Sequence, residues 1–435
     1  MKNSSDDITQ KIHAEINRDQ APAEYYDVIV IGGGAAGIAA AVGARRCGAR
    51  TLLIEQYGCL GGAATMKNVL TYCGFYTAET QPRQVIHGVG GEVLAELNRL
   101  NALEGPIRLR GVIVTFDSEA VKITLDRVCR RSGVDLLLHT TLVQAWRQNE
   151  RVVGITVFDR KGLRKFVADA FVDASGECDL AHQSGASVRY GNHGQINIGT
   201  LAMRLGGIER RDKISHEEVL EAVKAARAAG VQGLTAETGT LVKLPISSDW
   251  AAYLVDEEYD ATDIASLTAA EISGRERAWC YLEAIQRIAG CEKAFIVSTG
   301  PVIGTRESRH INAHYQLKQE DVLNGAKFDD VIALGAWAVE YHPREGAGST
   351  WRSIKDNQTF DIPLRSLQCV DTPNLFAAGR TMDGDRYAGS SVRVMGTAFA
   401  TGHAAGVAAA NFCRTKSIDT RAVQNELVKQ GALIS

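Results

Sequence analysis

The chain has 435 residues, 45% of them hydrophobic and 23% charged, and its formal net charge is −3 at pH 7. These values are typical of a globular protein with two or three domains of ~100–200 residues each. Because nucleic-acid-binding proteins usually carry a basic excess or a basic patch, this charge argues against a nucleic-acid partner.

The nine cysteines are scattered along the chain and form no C-x-x-C pair. This pattern excludes a zinc ribbon, a ferredoxin-type cluster motif and a thioredoxin-like active site, and we predict no metal site. The polar N-terminal segment lacks the apolar region of a secretory signal, so we predict reduced thiols and a cytoplasmic protein. Ile8, Ile12 and Ile16 would share one face of a short helix; a frayed tail is the alternative.

The segment 27–55 predicts a strand, a glycine-rich turn, a helix and a second strand, in that order. Residues 28–31 form an apolar, β-branched run, residues 35–46 are rich in small side chains, and residues 51–54 form a second apolar run. The uncharged stretch 28–44 approaches the ~17–25 residues of a membrane span. Its consecutive glycines and its excess of alanine over leucine favour the strand–turn–helix interpretation, so we predict no membrane span.

Gly32, Gly34 and Gly37 form a G-x-G-x-x-G turn between the first strand and the helix. In such a turn the first glycine permits a tight bend, the second lets a pyrophosphate approach the backbone, and the third permits close helix–sheet packing. The helix N-terminus adds free N–H groups and the positive end of its dipole. Glu55 ends the second strand, close to the spacing at which an acidic side chain accepts ribose hydroxyls. We therefore predict a dinucleotide-binding unit.

The middle of the chain predicts a helix and then a run of antiparallel strands. The helix covers residues 116–132 and ends at Gly133, which suits a C-terminal stop. Residues 134–143, 151–159 and 163–173 alternate between apolar and polar side chains and are separated by turn residues. The latter two runs, together with the end of the first, predict a three-stranded meander.

Residues 190–365 show a different pattern, typical of an α+β unit. Possible capping boxes at Ser215–Glu218 and Thr268–Glu271 predict two helices, the second ending near Gly290. Strand-like runs lie between and after them, at residues 196–205, 295–298 and 331–339. A buried strand over residues 374–378 and a small-residue helix over residues 397–412 then complete the pattern.

Eight motifs spread along the chain occur together, namely IGGGAAG (31–37), E-x5-GG-x-x-T (55–65), VDASGECDLA (172–181), TRESRHI (305–311), DVLNGAKFDDVIA (321–333), IPLRSL (362–367), NLFAAGR (374–380) and SVRVMGTAFATGHAAG (391–406). This set resembles the motifs of the FAD-dependent oxidoreductase family, in the glutathione-reductase-like superfamily and its two-domain, fumarate-reductase-like branch. The resemblance implies an α/β fold in which a Rossmann-like FAD-binding domain, a parallel sheet plus the β-meander, carries an inserted α+β substrate domain. The predicted divisions are an N-terminal tail (1–24), the FAD-binding domain (25–189 and 366–412), the substrate domain (190–365) and a C-terminal tail (413–435).

The resemblance also implies which residues hold FAD. The three glycines of the first turn would bind the pyrophosphate, Glu55 the adenosine ribose, and the Val143 backbone the adenine edge. The remaining residues implied to contact or frame the cofactor are Gly61, Gly62, Thr65, Gly176, Gly379, Arg380, Val394, Met395, Gly396 and Thr397. Arg380 stands where the wider superfamily often has an aspartate for the ribityl hydroxyls, so this contact must differ. The last four of these residues would open a helix whose positive end faces the flavin.

Some activities of the superfamily are excluded by what the sequence lacks. No cysteine pair follows the first strand–helix–strand unit, which argues against a disulfide reductase. No second G-x-G-x-x-G lies between a strand and a helix, which argues against a separate NAD(P)H domain.

Candidate catalytic groups come from the predicted substrate domain. Arg306, Arg309 and His310 follow one strand and His342 follows another. A histidine that titrates near neutral pH suits a general base, and an arginine suits bidentate capture of a carboxylate or phosphate. The alternative for the arginines is a structural ion pair between domains.

We therefore predict an FAD-dependent dehydrogenase or oxidase that oxidises a small polar substrate by hydride transfer to flavin N5. If the arginines bind the substrate, it is anionic. The electron acceptor would be oxygen, a quinone or a partner protein. The alternative is an electron-transfer or structural flavoprotein subunit without a small-molecule substrate of its own. The sequence leaves homo-oligomerisation open.

Overall fold

The computed structural model describes residues 23–435, so the predicted helix over Ile8, Ile12 and Ile16 lies outside the described residues. The strands, in chain order, are β1 (Glu24–Ile31), β2 (Thr51–Ile54), β3 (Thr71–Cys73), β4 (Leu103–Arg108), β5 (Val112–Phe116), β6 (Asp135–Leu137), β7 (Thr141–Gln148), β8 (Arg151–Asp159), β9 (Gly162–Asp173), β10 (Val188–Tyr190), β11 (Gly199–Gly206), β12 (Thr240–Lys243), β13 (Trp250–Glu257), β14 (Phe295–Thr299), β15 (Arg309–Ile311), β16 (Val331–Gly335), β17 (Val339–Tyr341), β18 (Thr350–Arg352), β19 (Phe360–Pro363) and β20 (Leu375–Ala377). The α-helices are α1 (Ala35–Arg46), α2 (Ala63–Met66), α3 (Gly88–Arg99), α4 (Ser118–Ser132), α5 (Asp179–Gln183), α6 (His216–Ala228), α7 (Ile264–Ile285), α8 (Gln319–Asn324), α9 (Arg386–Val392), α10 (Met395–Thr415) and α11 (Thr420–Lys429).

The largest sheet joins the predicted parallel strands and the meander. Its order is β6-β2-β1-β9-β8-β7, and β20 also pairs with β9. The pairs β1–β2, β2–β6, β1–β9 and β9–β20 are parallel, whereas β7–β8 and β8–β9 are antiparallel. The long strand β9 therefore belongs to both parts, since its first half pairs with β8 and its second half with β1 and β20. This arrangement confirms the predicted α/β fold class with its Rossmann-like sheet and meander.

The predicted strand over residues 134–143 is wrong as a single element, because β6 and β7 are separate strands. His139 lies between them with a φ of 53°, a left-handed conformation that interrupts an extended chain. The predicted helix that ends at Gly133 is confirmed as α4, and Gly133 adopts the left-handed C-terminal conformation with a φ of 73°.

Two helices of small residues lie side by side beneath the parallel sheet. Helices α1 and α10 pack so closely that a Cβ atom on Gly402 would lie 2.1 Å from the Ala36 carbonyl oxygen. A Cβ atom on Gly406 would lie 1.9 Å from the Ala40 carbonyl oxygen. The run of alanine and glycine that resembles a membrane span thus serves backbone-to-backbone packing. Within residues 23–435, no helix has both the length and the apolarity that crossing a bilayer requires.

A second region is built on a four-stranded sheet with the order β12-β13-β11-β14. Helices α6 and α7 pack on this sheet around a core that includes Leu201, Trp250 and Tyr281. The capping box at Ser215–Glu218 is confirmed at the start of α6, with both of its hydrogen bonds present.

Two of the predicted elements in this part of the chain are wrong. The capping box at Thr268–Glu271 does not form, because Asp263 caps α7 one turn earlier and the Thr268 hydroxyl donates to the Ile264 carbonyl oxygen at 2.7 Å. The single strand predicted over residues 331–339 is two strands, β16 and β17, which pair with β19 and β18 respectively.

The C-terminal residues are part of the packed structure. Helix α11 lies within the predicted tail 413–435, and its Val423 and Leu427 side chains are fully buried. These side chains belong to the core that also contains α1 and α10. The domain boundaries given above stay a prediction.

Candidate active site

A cavity of about 1200 Å³ lies between the carboxyl ends of β1, β2 and β9 and the second region of the fold. Sites for single small molecules usually measure ~300–1,000 Å³, so this cavity has room for a cofactor and a second molecule. We call the part beside β1 and α1 the nucleotide end. The part beside β11, β17 and β18 is the distal end.

At the nucleotide end, the glycine turn brings bare backbone to the cavity wall. Gly32 has a φ of 98°, and a Cβ atom there would lie 2.3 Å from the Ala174 carbonyl oxygen. A Cβ atom on Gly37 would lie 1.7 Å from the Gly32 carbonyl oxygen. Gly34 precedes α1 without a side-chain cap, and the first helical hydrogen bond comes from Ile38 N. The N–H groups of the first helical turn, at Ala35, Ala36 and Gly37, therefore precede the first helical hydrogen bond and can bind an anion such as a pyrophosphate.

Glu55 lines the same end of the cavity, at the end of β2. Its carboxylate accepts hydrogen bonds from the backbone N–H groups of Gly33, at 2.6 Å, and Tyr57, at 2.9 Å. Burial raises the pKa of Glu55, and these two donors partly offset that effect. Because each carboxylate oxygen can accept more than one hydrogen bond, the oriented group can still receive ribose hydroxyls.

The other predicted cofactor residues divide into those at the cavity surface and those behind it. The predicted residues that line the cavity are Gly32, Gly34, Glu55, Gly62, Gly176, Gly379, Arg380, Val394 and Met395. The predicted residues that do not line it are Gly37, Gly61, Thr65, Val143, Gly396 and Thr397. Gly61 supports the glycine turn through a 2.8 Å hydrogen bond to the Gly33 carbonyl oxygen, whereas the exposed Val143 follows the lining residues 140–142. Their individual roles stay predictions.

Helix α10 presents a second uncapped N-terminus to the cavity. Val394 precedes the helix without a side-chain cap, and the first helical hydrogen bond comes from Ala398 N. The Thr397 hydroxyl is buried without a hydrogen-bond partner. A Cβ atom on Gly396 would lie 2.5 Å from the Cys73 carbonyl oxygen, so only glycine permits this approach. Free N–H groups at a positive helix end suit the electron-rich edge of a flavin ring.

Arg380 joins the two regions of the fold at the cavity wall. Its guanidinium pairs with the Glu177 carboxylate and donates to the Thr305 carbonyl oxygen at 2.8 Å. Lys67 reaches the same place, with its Nζ atom 2.6 Å from the Thr305 hydroxyl. Burial and the Arg380 charge lower the pKa of Lys67 to about 7. Arg380 therefore uses its charge within the protein, and its contact with the ribityl chain stays a prediction.

At the distal end, Arg306 lines the cavity without an ionic partner. Its Nη1 atom donates to the Ile198 carbonyl oxygen at 2.6 Å. Among residues 23–435, no carboxylate comes within 4.0 Å of this guanidinium. Burial, together with the charge of Arg393, lowers the pKa of Arg306 to about 10, so the side chain stays charged at neutral pH. The Asp256 and Glu340 carboxylates favour the charged form without pairing with it, so an anion bound directly to the guanidinium would compensate the charge further.

His342 and Glu340 form a pair beside Arg306. The His342 Nε2 atom lies 3.6 Å from a Glu340 carboxylate oxygen, and both residues line the cavity. Burial and the Arg306 charge lower the pKa of His342 to about 4, which is far from the neutral value expected from the sequence. Burial works against ionisation of Glu340, but His342 and Arg393 lower its pKa to about 2. At neutral pH the pair is a neutral imidazole beside a carboxylate.

The segment that leads into β11 holds both Arg306 and His342. The Asn197 side-chain oxygen accepts a hydrogen bond from His342 N at 2.9 Å, and Ile198 N donates to the His342 carbonyl oxygen at 3.2 Å. The Asn197 amide nitrogen donates to the buried Glu307 carboxylate at 2.6 Å, which fixes the orientation of the amide. Because the Ile198 carbonyl oxygen also accepts from Arg306, the adjacent residues Asn197 and Ile198 hold both Arg306 and His342 in position.

Comparison with known sequences identifies the family. The chain matches the family described as "FAD dependent oxidoreductase" over residues 27–429. The chain belongs to this family. It is accordingly an enzyme, an FAD-dependent oxidoreductase, and FAD is its cofactor. The uncapped ends of α1 and α10 and the buried Glu55 carboxylate, all at the cavity wall, fit that cofactor.

No curated protein sequence matches this FAD-dependent oxidoreductase. Similar solved structures include several flavoproteins. A geranylgeranyl bacteriochlorophyll reductase-like protein from Thermoplasma acidophilum is 12% identical, with a TM-score of 0.48 over 94% of this chain and 85% of that one. The p-nitrophenol 4-monooxygenase PnpA from Pseudomonas putida is 10% identical, with a TM-score of 0.49 over 94% and 85%. A flavoprotein/dehydrogenase from Cytophaga hutchinsonii is 14% identical, with a TM-score of 0.48 over 93% and 82%.

The other two predicted catalytic residues of the oxidoreductase lie behind the cavity wall. Arg309 forms an ion pair with Asp179 at 3.4 Å. His310 is buried, with Nδ1 2.9 Å from the Met382 carbonyl oxygen and Nε2 3.1 Å from the Glu307 carboxylate. Neither Arg309 nor His310 lines the cavity, whereas Arg306 and His342 do. The structure thus brings together one arginine and one histidine of the four candidates.

Sequence reasoning missed several groups that line the distal end. They are Lys67, Asp256, Trp337, Glu340, Trp351 and Arg393. Glu340 had a detectable signal, because a spacing of two residues from His342 places both side chains on one face of an extended chain. Lys67, Asp256 and Arg393 come from distant segments, and the two tryptophans, although near His342 in the sequence, carry no local pattern.

Proposed function

We propose that this enzyme oxidises a small molecule with a carboxylate or similar anionic group, which Arg306 binds while His342 accepts a proton. The observation that carries this proposal is the cavity-lining Arg306 guanidinium, which has no carboxylate within 4.0 Å among the described residues. FAD, when bound, supplies the acceptor for a hydride at its N5 atom. The remaining steps belong to side chains at the distal end.

Arg306 would bind and orient the substrate. A guanidinium presents planar, paired donors that match both oxygens of a carboxylate, and it stays charged throughout the neutral range. The hydrogen bond to the Ile198 carbonyl oxygen holds one nitrogen, which leaves other N–H groups available. Binding an anion here would compensate the buried charge.

His342 would accept the proton that leaves the substrate. In the free enzyme it is neutral at physiological pH, because burial and Arg306 lower its pKa to about 4. A carboxylate bound to Arg306 would cancel that repulsion and raise the pKa of His342, which makes it a stronger base in the complex. The Glu340 carboxylate, 3.6 Å away, would stabilise the imidazolium that forms.

Three finer assignments belong to the same proposal. The electrons leave to oxygen, a quinone or a partner protein. The protein works in the cytoplasm, which the nine free thiols support because disulfides are rare there. The glutathione-reductase-like superfamily and its two-domain branch remain our classification, supported by the meander beside the parallel sheet and by the second four-stranded sheet.

The test is anaerobic bleaching of the flavin by a panel of hydroxy acids, amines and sugars. We expect hydroxy acids to bleach the flavin and neutral sugars to leave it oxidised. Arg306→Lys should raise the substrate constant, because lysine lacks the bidentate fork, whereas Arg309→Lys should leave it unchanged as the matched control. Bleaching by neutral compounds alone would contradict the proposal. Failure of every compound would favour the electron-transfer alternative.

A further inference from the structure

Two tryptophans form part of the cavity wall at the distal end. Trp337 follows β16 and Trp351 lies in β18, with ring centroids 5.3 Å apart and an interplanar angle of 79°. Trp351 pairs directly with Glu340 across the β17–β18 hairpin, so both side chains lie on the same face. The Trp337 indole nitrogen donates to the Glu340 carboxylate at 3.1 Å. The aromatic rings are therefore adjacent to the charged groups that surround His342.

The β4–β5 connection completes an apolar compartment around these rings. A Cβ atom on Gly111 would lie 2.5 Å from the Trp337 ring, so the backbone packs directly on the indole. Leu109 and Ile113 also line the cavity here. We call the set Leu109, Gly111, Ile113, Trp337 and Trp351 the aromatic wall. Since Glu340 satisfies the Trp337 N–H group, that ring offers hydrocarbon rather than polar atoms to a ligand.

A small polar substrate held at Arg306 would leave the accessible part of the aromatic wall, Leu109 and the half-buried Trp351, in contact with water, whereas Trp337 is only 5% exposed. Apolar surface inside a binding cavity usually contacts an apolar part of the ligand, while a few polar groups fix its orientation. Stacked or edge-on contact between a flat ring and tryptophan also adds binding free energy beyond that of the buried apolar area. The half-buried Trp351 indole, fixed by its edge-on contact with Trp337, therefore favours a planar group over a flexible chain.

We propose that the substrate is a carboxylate that carries a planar aromatic group. Its anionic end pairs with Arg306, and its ring lies against Trp351, which the buried Trp337 supports edge-on. The proposal rests on the proposed function, since it takes Arg306 as the site of the anion. It narrows the broad class of small polar molecules to aryl carboxylates.

Binding, measured separately from flavin reduction, tests this substrate class. Isothermal titration calorimetry of the oxidised holoenzyme would compare phenylacetate with its neutral isostere phenylacetamide, with acetate and with hexanoate. We expect phenylacetate to bind at least about tenfold more tightly than each of the other three. Equal affinity for hexanoate would overturn the aromatic preference, and absence of phenylacetate binding at millimolar concentration would overturn the proposal.

Two tryptophan variants sharpen the test. Trp351→Ala should weaken phenylacetate binding roughly tenfold while acetate binding stays unchanged. Trp279→Ala is the matched control, because Trp279 is 67% exposed on α7 and does not line the cavity. An unchanged phenylacetate affinity in Trp351→Ala would overturn the contact with the aromatic wall.

The outcomes separate this proposal from the proposed function. Phenylacetate binding that depends on both Arg306 and Trp351, without flavin reduction by any aryl carboxylate, would support the binding class and contradict the oxidation. Flavin reduction by an aliphatic hydroxy acid that depends on Arg306 but not on Trp351 would support the oxidation and overturn the aryl class.

Discussion

The nucleotide end of the cavity is formed mainly by backbone atoms, whereas the distal end is formed mainly by side chains. The nucleotide end uses backbone atoms, in the glycine turn before α1, the Gly61–Gly62 loop and the uncapped start of α10. The distal end uses side chains from separate segments, among them Arg306, Glu340 and Arg393. A backbone-built site tolerates few substitutions, because added atoms meet other main-chain atoms. A side-chain-built site can change its ligand without disturbing the cofactor.

The largest effect should come from adding one methyl group to the backbone-built end. Gly37→Ala would place a Cβ atom 1.7 Å from the Gly32 carbonyl oxygen, so the turn must shift and FAD should be lost. Gly91→Ala is the matched control, since the nearest atom to its Cβ lies 3.7 Å away. The flavin-to-protein absorbance ratio checks both variants. A normal FAD content in Gly37→Ala would contradict a backbone-built end.

At the distal end, loss of the imidazole should stop chemistry and spare the cofactor. His342→Ala should slow flavin reduction by roughly 10²–10⁴-fold, the usual contribution of a general base. Its FAD content should equal that of the wild type, because His342 belongs to the distal end. His314→Ala, at an exposed histidine outside the cavity, is the control. Stopped-flow reduction under anaerobic conditions distinguishes the outcomes, and an unimpaired His342→Ala enzyme would remove the proposed base.

Glu55 is the exception at the nucleotide end, because it contributes a side chain there. Glu55→Ala should weaken FAD binding by about 1.5–3 kcal/mol, the range for hydrogen bonds to a charged group. Equilibrium titration of the apoprotein with FAD measures the loss. An unchanged dissociation constant would show that the carboxylate only orients Gly33 N and Tyr57 N.

The smallest effect should come from Asn197, which contacts the chain rather than the substrate. Asn197→Ala removes the acceptor for His342 N, and this loss should cost about 1 kcal/mol, or roughly fivefold in the rate of flavin reduction. The lost hydrogen bond to the Glu307 carboxylate should lower stability rather than the rate. The substrate constant should change less than the rate, because Arg306 keeps its contact with the Ile198 carbonyl oxygen. Equal changes in both parameters, or a lower FAD content, would indicate a general structural defect instead.

The contrast between the two ends also explains what the sequence could predict. The glycine turn, α1 and Glu55 lie within one continuous segment, so periodicity and spacing were sufficient there. Residue type and position after strands indicate Arg306 and His342 as candidates, and both line the cavity. The sequence could not predict that Arg393 lies near Arg306 and His342, because these segments are far apart in the chain and meet only after folding.

The errors follow the same physical logic. Thr268 and Glu271 have the spacing of a capping box, but Asp263 offers the better cap and the helix begins there. Sequence spacing cannot decide between two adjacent caps when the preceding chain is also compatible with a helix. The low pKa of His342 could not be predicted from the sequence either, because burial and the Arg306 charge lower it only in the folded protein.

The central claim is that Arg306 binds an anion and thereby controls the basicity of His342. The pKa of His342 can be measured by NMR of the histidine-labelled holoenzyme, with the resonance assigned from a His342→Gln variant. We predict a value of about 4 in the free enzyme, so the imidazole protonates only in acid. Saturation with a bound carboxylate should raise this pKa, because the anion cancels the Arg306 charge. A pKa near the ordinary 6.5 in the free enzyme, or one that a bound carboxylate leaves unchanged, would contradict the account.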